Sequence, residues 1–257
     1  DNLDSIVQNA FGILIDRGDL GAETKISNIP LMQKKIIKTA NKYGKPVIVA
    51  TEMLHTMIDN PFPTKSEVND IANAVLDGAS ALMLSGETAV GDYPFEACRL
   101  MQEVALVTEQ SLNTNRGFDQ EIENNTSDVV AKCINLASAS LNITKIIAVT
   151  YSGFSARMIS LYRPKQSIFV VTDTIEKCRQ LNLLWGVQAS ISEFSFSPTD
   201  ANNSKDALKN LYEKGVLVPE DIVIVTAVKY PNPKVNTTMN FFEIHRIQDL
   251  VEIFSWD

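Results

Sequence analysis

The sequence contains few cysteines, and their spacing excludes two common uses of this residue. Its 257 residues include three cysteines, Cys98, Cys133 and Cys178, which lie far apart without a CxxC pair. Such spacing fits neither a zinc site nor a disulfide framework, and it suits a reducing compartment. We therefore expect a cytoplasmic protein.

Runs of basic residues and long apolar runs are also lacking. The formal net charge is -8 at pH 7, and no cluster of Lys and Arg interrupts the acidic balance. An acidic surface repels a nucleic-acid backbone or an anionic membrane. No apolar run approaches the roughly 20 residues of a membrane helix, and the initial stretch DNLDSIVQNA lacks the features of a signal peptide. The sequence thus predicts neither a nucleic-acid nor a membrane partner.

The first third of the chain repeats a strand followed by a helix. The apolar runs GILI (12–15), PVIVA (46–50) and ALML (81–84) recur about every 34 residues. They are apolar on both faces, as in parallel sheets covered by helices, and Gly44 and Gly78 are predicted to end the intervening helices. The period fits a (β/α)8 barrel, but three strands cannot close one. We expect either part of a longer polypeptide or an open sheet with an exposed edge.

The remaining chain predicts a linker and a second α/β region. Residues 108–126 are rich in Asn, Gln and acidic residues, unlike the sequence before them. This composition is typical of a linker, here between a barrel portion (1–107) and a second region (127–257). Helical stretches in this region, among them TIEKCRQLNLLWG (174–186), alternate with the apolar runs KIIAVT, SIFVVT, DIVIVTAV and MNFFEIHRI. The pattern predicts an independent open α/β domain with a mixed, mostly parallel sheet that ends in an antiparallel pair.

Polar residues follow each of the three strands predicted for the barrel portion. The stretches are RGDLG (17–21), TEM (51–53) and SGET (85–88). Functional groups of parallel barrels sit at these carboxyl ends. Asp19, among glycines, offers a hard oxygen ligand for Mg²⁺, and glycine backbone can approach an anion closely. These features suit a phosphorylated carboxylate with its metal; the alternative is that Asp19 caps a helix beginning near Gly21.

A hydroxyl-rich turn in the second region is another candidate site. The stretch TYSGFSA (150–156) follows a predicted strand and opens a helix. Free N–H groups and the helix dipole at such a turn attract phosphate. The alternative is a plain serine N-cap, and the residues alone leave both open.

The residues of these motifs resemble those of one known family, the pyruvate kinases. The resemblance rests on RGDLGAE (17–23), on the stretch from KPVIVATEML to SGETAVGDYPFEA (45–97), and on VTYSGFSARMISLYRP (149–164) and LNLLWGVQ (181–188). It covers essentially the whole chain, more weakly after residue 190. It implies the last three βα units of a catalytic (β/α)8 barrel, followed by the family's C-terminal α/β domain.

The resemblance implies an activity and residue roles. Pyruvate kinases transfer phosphoryl from phosphoenolpyruvate to ADP in glycolysis, giving pyruvate and ATP; they use Mg²⁺ and K⁺ and are typically homotetramers. Asp19 corresponds to a Mg²⁺ ligand, and the backbone amides of Gly18 and Asp19 correspond to those that hold the substrate carboxylate. Thr51 corresponds to a substrate contact near the proton-transfer path, and Ser85 is similar to a serine of that relay.

The same resemblance implies an allosteric site in the second region. The turn that cradles a phosphate of the sugar-phosphate effector, commonly fructose 1,6-bisphosphate, corresponds to Thr150, Ser152, Gly153 and Ser155. Phe154 departs from the family pattern, so the resemblance does not identify the effector.

Departures from the pattern define what this chain is expected to do alone. The family's second Mg²⁺ carboxylate, the lysine that stabilises the transferring phosphoryl, and the K⁺ and nucleotide contacts lie in segments absent from this sequence. Asp16 replaces the usual alanine, and Glu52 replaces a common glutamine. We expect the chain alone to be inactive. The alternative function is a stand-alone regulatory or assembly module that binds a phosphorylated metabolite.

Overall fold

The computed structural model describes residues 2–112, 126–193, 202–229 and 239–256. The chain divides into two compact units, Asp1–Asn113 and Thr114–Asp257, called here the first and second unit. Most of the stretch predicted as a linker, residues 113–125 of 108–126, lies outside the described residues.

The first unit is built on a parallel three-stranded sheet in the order β1-β2-β3. Its elements are α1 (Leu3–Asn9), β1 (Ile13–Asp16), α2 (Arg17–Glu23), α3 (Ile29–Lys42), β2 (Val47–Ala50), α4 (Lys65–Asp77), β3 (Ala81–Met83), α5 (Gly86–Ala89) and α6 (Pro94–Gln110), with short 3-10 turns at Ile26–Asn28 and His55–Ile58. Three parallel strands, each followed by helix, confirm the predicted βα repeat.

The ends of α4 show why the helix lies where the sequence predicted it. The Thr64 hydroxyl accepts the Glu67 N–H, while the Glu67 carboxylate accepts the Thr64 N–H, which forms a capping box. The helix ends at Gly78, whose φ of 109° favours glycine. Gly44, just after α3, also has a positive φ, of 63°. Both predicted glycine stops are confirmed.

The core of the first unit lies on one face of its sheet. Ile15, Val47 and Val49 are buried together with Ile37 of α3. Leu14, the neighbour of Ile15 in β1, points to the opposite face and is 49% exposed. On this strand, therefore, the described residues of the unit cover one face and leave the other open.

The second unit contains a five-stranded sheet in the order β6-β5-β4-β7-β8. Its elements are α7 (Thr126–Ser140), β4 (Lys145–Val149), α8 (Phe154–Leu161), β5 (Ser167–Thr172), α9 (Ile175–Leu181), β6 (Val187–Ile191), α10 (Asn203–Glu213), β7 (Ile222–Lys229), β8 (Met239–Arg246) and α11 (Ile247–Phe254). Strands β4 to β7 are parallel to their neighbours, and β8 pairs antiparallel with β7. The predicted mixed, mostly parallel sheet is confirmed.

Both faces of this second sheet are covered. Ile146 and Ala148 of β4 belong to one buried cluster, which includes residues of α7 and α8. Ile147 and Val149 of the same strand belong to another, which includes residues of α10 and α11. Central strand β4 thus has an apolar core on each side, as its continuous apolar run predicted.

Three features of the secondary structure differ from the sequence-based expectation. Helix α9 was predicted to reach Gly186 but ends at Leu181, where the side-chain oxygen of Asn182 accepts the Ala189 N–H and stabilises a turn. Strand β6 and helix α11 were not predicted. Helix α6 includes residues 108–110, so it extends into the stretch predicted as linker.

The structure adds two observations on cysteine and membrane features. Cys98, Cys133 and Cys178 are free thiols. Within the described ranges, no helix combines the length and apolar character needed to cross a bilayer.

Candidate active site at the strand ends

The three strands of the first unit bring their carboxyl ends to one edge of the sheet. Asp16 of β1 is in register with Ala50 of β2, and Ala50 is in register with Met83 of β3. The polar stretches beginning at Arg17, Thr51 and Ser85 therefore start side by side, because the strands are parallel neighbours.

Helix α2 begins directly after β1 and is capped by Asp16. The Asp16 Oδ1 accepts the Asp19 N–H at 3.2 Å, so Asp16 is the N-cap and Asp19 lies in the first helical turn. The alternative in which Asp19 caps a helix near Gly21 is wrong. The Asp19 carboxylate is exposed, and in the described part of the chain no side chain or backbone group pairs with it.

Thr51 contacts the start of α2 through its hydroxyl. The Thr51 Oγ1 accepts the N–H of Arg17 at 2.9 Å and that of Gly18 at 3.1 Å. It lies 2.7 Å from the Ala50 carbonyl and 3.2 Å from Asp16 Oδ1, and its single hydrogen donates to one of them. Of the predicted site residues, Gly18 and Thr51 are thus in direct contact.

The turn that carries Thr51 has an unusual backbone. Thr51 and Glu52 have φ values of 64° and 54°, so two consecutive residues other than glycine adopt the left-handed conformation. Each such residue costs about 1–3 kcal/mol and persists only where its surroundings impose it. The contacts that impose this conformation involve residues that sequence reasoning did not select.

A buried arginine holds this turn from the side of β1. The side chain of Arg17 lies with its Nε 3.0 Å from the Thr51 carbonyl oxygen and its Nη2 2.8 Å from the Glu52 carbonyl oxygen. Its Nη1 pairs with the carboxylate of Asp70 on α4. The charge of Arg17 inside a strand-end motif was a signal in the sequence. Asp70 gave no such signal, because it lies 53 residues from Arg17 along the chain.

A buried glutamate connects the same turn to the end of β3. Glu87 is 2% exposed; its Oε1 accepts the Leu54 N–H and its Oε2 accepts the Ser85 N–H, both at 2.9 Å. Thus Ser85, which the sequence selected, is tied through its backbone to the segment that begins at Thr51. Glu87 itself was not selected.

Glu87 is ionised in this environment. Burial raises its pKa, but the N–H groups of Glu87 itself, Leu54 and Ser85 and the charge of His55 together hold the pKa below its ordinary value. At neutral pH a negative charge therefore lies between the two loops, where it accepts hydrogen bonds from backbone N–H groups.

The residues present fit Mg²⁺ only in part. Asp19 offers an exposed carboxylate, which suits this hard cation. In the described ranges, however, no group of three or more His, Cys, Asp or Glu side chains could hold a metal. One carboxylate binds Mg²⁺ weakly unless further ligands come from substrate or from other parts of a protein.

In the second candidate site, the turn after β4, the hydroxyl groups of Thr150 and Ser152 form hydrogen bonds within the turn. The Thr150 hydroxyl is buried and accepts the Gly153 N–H at 3.0 Å, and the Ser152 hydroxyl accepts the Phe154 N–H at 3.3 Å. Gly153 has a φ of 79°, and a Cβ there would lie 2.7 Å from Leu181 Cδ2. The N-cap of α8 is Gly153 and no side chain caps the helix, so the alternative of a plain serine N-cap is wrong. Ser155 lies half-buried in the first turn of α8.

Two family models match the chain and together cover most of it. The model described as pyruvate kinase, barrel domain, matches residues 1–98, and the one described as pyruvate kinase, alpha/beta domain, matches residues 128–245. The first match spans β1 to β3 and the strand-end loops. The second spans the five-stranded sheet.

Individual relatives agree with these matches. The chain is 41% identical to a pyruvate kinase of Clostridium acetobutylicum over 96% of its length, and 37% identical to one of Borreliella burgdorferi over 98%. Its structure matches a crystal structure of a pyruvate kinase from Cryptosporidium parvum with a TM-score of 0.82 and 33% identity over 96% of the chain. The chain therefore belongs to the pyruvate kinase family.

The chain spans about half the length of the relatives that it matches. It covers 52% of the Clostridium acetobutylicum protein, 53% of the Borreliella burgdorferi protein and 49% of the Cryptosporidium parvum chain. What it shares with them is one part of a larger catalytic protein.

Proposed function

We propose that the chain is part of a pyruvate kinase, which transfers phosphoryl from phosphoenolpyruvate to ADP and yields pyruvate and ATP in glycolysis. One observation carries the proposal: the Gly18 N–H lies 3.1 Å from the Thr51 hydroxyl beside the exposed Asp19, at the ends of parallel strands. This arrangement offers a carboxylate, a hydroxyl and backbone N–H groups within one small region.

Asp19 and the start of α2 would bind the metal and the substrate carboxylate. Asp19 would be one ligand of Mg²⁺, and the ion, when bound, neutralises charge on the phosphoryl group. The N–H groups of Gly18 and Asp19 would bind the carboxylate. Since these N–H groups donate to Thr51 and Asp16 in the chain, a bound carboxylate has to share them or displace those acceptors.

Thr51 and Ser85 would take part in proton delivery to enolpyruvate. The Thr51 hydroxyl already lies against the start of α2, next to the proposed carboxylate position. The Ser85 hydroxyl makes no hydrogen bond to any described residue, so it is free to bind water. Hydroxyl groups of this kind pass a proton when water or substrate connects them.

The rest of the active site would come from the part of the protein that this chain does not include. The resemblance assigns to that part the second Mg²⁺ carboxylate, the phosphoryl-binding lysine and the K⁺ site. Because phosphoryl transfer depends on positioning and charge neutralisation by several groups together, we propose that the chain alone does not turn over.

A fusion protein tests this proposal. The half of the Clostridium acetobutylicum relative that the chain does not match is joined to the N-terminus of the chain, and pyruvate formation from phosphoenolpyruvate and ADP is measured with Mg²⁺ and K⁺. We expect activity for the fusion and none for the chain alone. Activity of the chain alone, or an inactive but folded fusion, would contradict the proposal.

A second candidate function is binding of a sugar phosphate at the turn after β4, with the complete protein an allosteric homotetramer. The Lys177 ammonium group lies 3.8 Å from the centre of the Tyr151 ring, so a cation lies beside the turn. Ser152 and Ser155 would then contact phosphate, and Thr150 and Gly153 would shape the turn.

Calorimetry with fructose 1,6-bisphosphate tests this candidate. Ser152→Asp places a negative charge in the turn and should abolish binding, whereas Ser140→Asp, an exposed serine on α7, should leave it unchanged. Equal binding by Ser152→Asp and the parent chain would rule the site out. Binding by a chain that stays inactive even in the fusion would favour a stand-alone regulatory module.

A further inference from the structure

The left-handed turn at Thr51 and Glu52 depends on one side chain for its two carbonyl groups. Consecutive left-handed residues point both carbonyl oxygens toward the Arg17 guanidinium, which contacts the Thr51 oxygen with Nε and the Glu52 oxygen with Nη2. A guanidinium has five N–H groups in a fixed plane, so its orientation decides whether both contacts form together.

Among the described residues, that orientation has a single charged anchor outside the strand ends. Arg17 Nη1 pairs with Asp70 Oδ2, and the Asp70 side chain makes no other hydrogen bond or ion pair to a described residue. Asp70 lies next to the buried Ile71 on α4, so packing of that helix fixes its position. Asp70 itself makes no hydrogen bond to Thr51 or Gly18.

We propose that Asp70 is a positioning residue for the active site, acting through Arg17 on Thr51. By holding the guanidinium, Asp70 maintains the left-handed turn, which in turn keeps the Thr51 hydroxyl against the N–H groups of Arg17 and Gly18. The assignment rests on the proposed function for its catalytic consequence, while its structural consequence can be measured in the chain itself.

The same helix supplies a matched control. Asp77, the last residue of α4, pairs with Lys34 and is also contacted by Gln33, and both partners lie on α3. Removing either carboxylate deletes one ion pair of α4. Of these two losses, only that of Asp70 releases the Arg17 guanidinium. If Asp70 has a specific positioning role, its removal and the removal of Asp77 should therefore have different effects.

Amide hydrogen exchange in the chain alone is the first measurement. We expect Asp70→Ala to speed exchange at the Arg17 and Gly18 N–H groups about tenfold, the equivalent of one lost hydrogen bond. Asp77→Ala should leave both rates unchanged. Unchanged rates in Asp70→Ala, or equal acceleration in Asp77→Ala, would overturn the proposal. Should Asp70→Ala not fold, Asp70→Asn decides by the same criteria, since it keeps an acceptor but loses the charge.

Kinetics of the fusion protein provide the second measurement. We expect Asp70→Ala to lower kcat about tenfold to a hundredfold, because small displacements of catalytic groups are costly, with a smaller loss for Asp70→Asn and none for Asp77→Ala. Equal kcat in Asp70→Ala and Asp77→Ala would overturn the catalytic part. If the parent fusion is inactive, the proposed function fails, whereas the exchange rates still decide the positioning of Thr51.

Discussion

The parallel sheet of the first unit and the mixed sheet of the second unit differ in how far their faces are covered. In the second unit, β4 is covered on both faces by buried clusters that include Ile146 and Ile147. In the first unit, Ile15 is buried while its neighbour Leu14 is half exposed on the other face. A sheet with a core on each face is expected to be more stable by itself than a sheet with one open face, which gains stability when a further layer covers it.

The difference in coverage between the two sheets matches the location of the proposed catalytic site. The site residues Gly18, Asp19, Thr51 and Ser85 all lie in the unit with the open sheet. The groups that the proposed reaction still needs would come with the structure that covers this sheet. Completing the fold and completing the active site are therefore expected to be one event.

Separating the two units would produce the largest effect. We expect residues 114–257, expressed alone, to unfold cooperatively with heat. Residues 1–113 should unfold at a lower temperature and should bind an apolar dye, because their sheet exposes apolar surface. Calorimetry and dye fluorescence measure this. A transition in residues 1–113 at the same temperature as in residues 114–257, without dye binding, would remove the contrast.

A pair of core substitutions sharpens the comparison in the whole chain. Both tryptophans, Trp185 and Trp256, lie in the second unit, so their fluorescence reports its unfolding. Ile146→Ala, at a fully buried position of β4, should destabilise this unit by about 2–5 kcal/mol in a denaturant titration. Leu14→Ala should leave the fluorescence transition unchanged. A similar loss in both variants would show that the units do not unfold separately.

A smaller effect is expected from acid. Burial raises the pKa of Asp221, but Lys145, the Val218 N–H and the Thr144 hydroxyl hold it below the ordinary value of 3.8. The Asp221 carboxylate therefore stabilises the folded unit fully when the pH is above its pKa in the unfolded chain. This stabilisation is lost as the pH falls from there through the lower pKa of the folded state.

The measurement is the pH dependence of the second unit's fluorescence transition. Asp221→Asn should reduce the loss of stability between about pH 5 and pH 3, because the carboxylate that protonates on unfolding is gone. The exposed Asp249→Asn serves as the control and should keep the parent's dependence. An unchanged pH dependence in Asp221→Asn would show that this carboxylate does not stabilise the unit.

Sequence reasoning predicted the strands and helix stops because these follow from local patterns. Strands β1, β2 and β4 are continuous apolar runs, and Gly44 and Gly78 end helices with positive φ. Strand β6 was not predicted because it is an edge strand with polar residues such as Gln188 and Ser190, which interrupt the apolar pattern. Helix α11 follows β8 without an intervening turn, so the apolar run gave no boundary.

The site was predicted as a set of strand-end residues, but its supporting contacts were not. Asp16 was noted as a departure from the family pattern, yet its role as the cap of α2 depends on the backbone geometry at the end of β1. Arg17 and Glu87 contact residues 33 to 35 positions away, and Asp70 lies 53 residues from Arg17, so no local pattern indicates these pairings. The contacts that hold Thr51 in place are tertiary, so they are not encoded in any local stretch of the sequence.

The most direct test of the central claim, that Asp19 binds the catalytic metal, is a comparison of two carboxylates in the fusion protein. Asp19→Ala should lower kcat by at least about a hundredfold and weaken activation by Mg²⁺, because a metal ligand is lost. Asp92→Ala, which removes another exposed carboxylate of the same unit, should leave both unchanged. Equal activity and equal Mg²⁺ dependence in the two variants would contradict the claim.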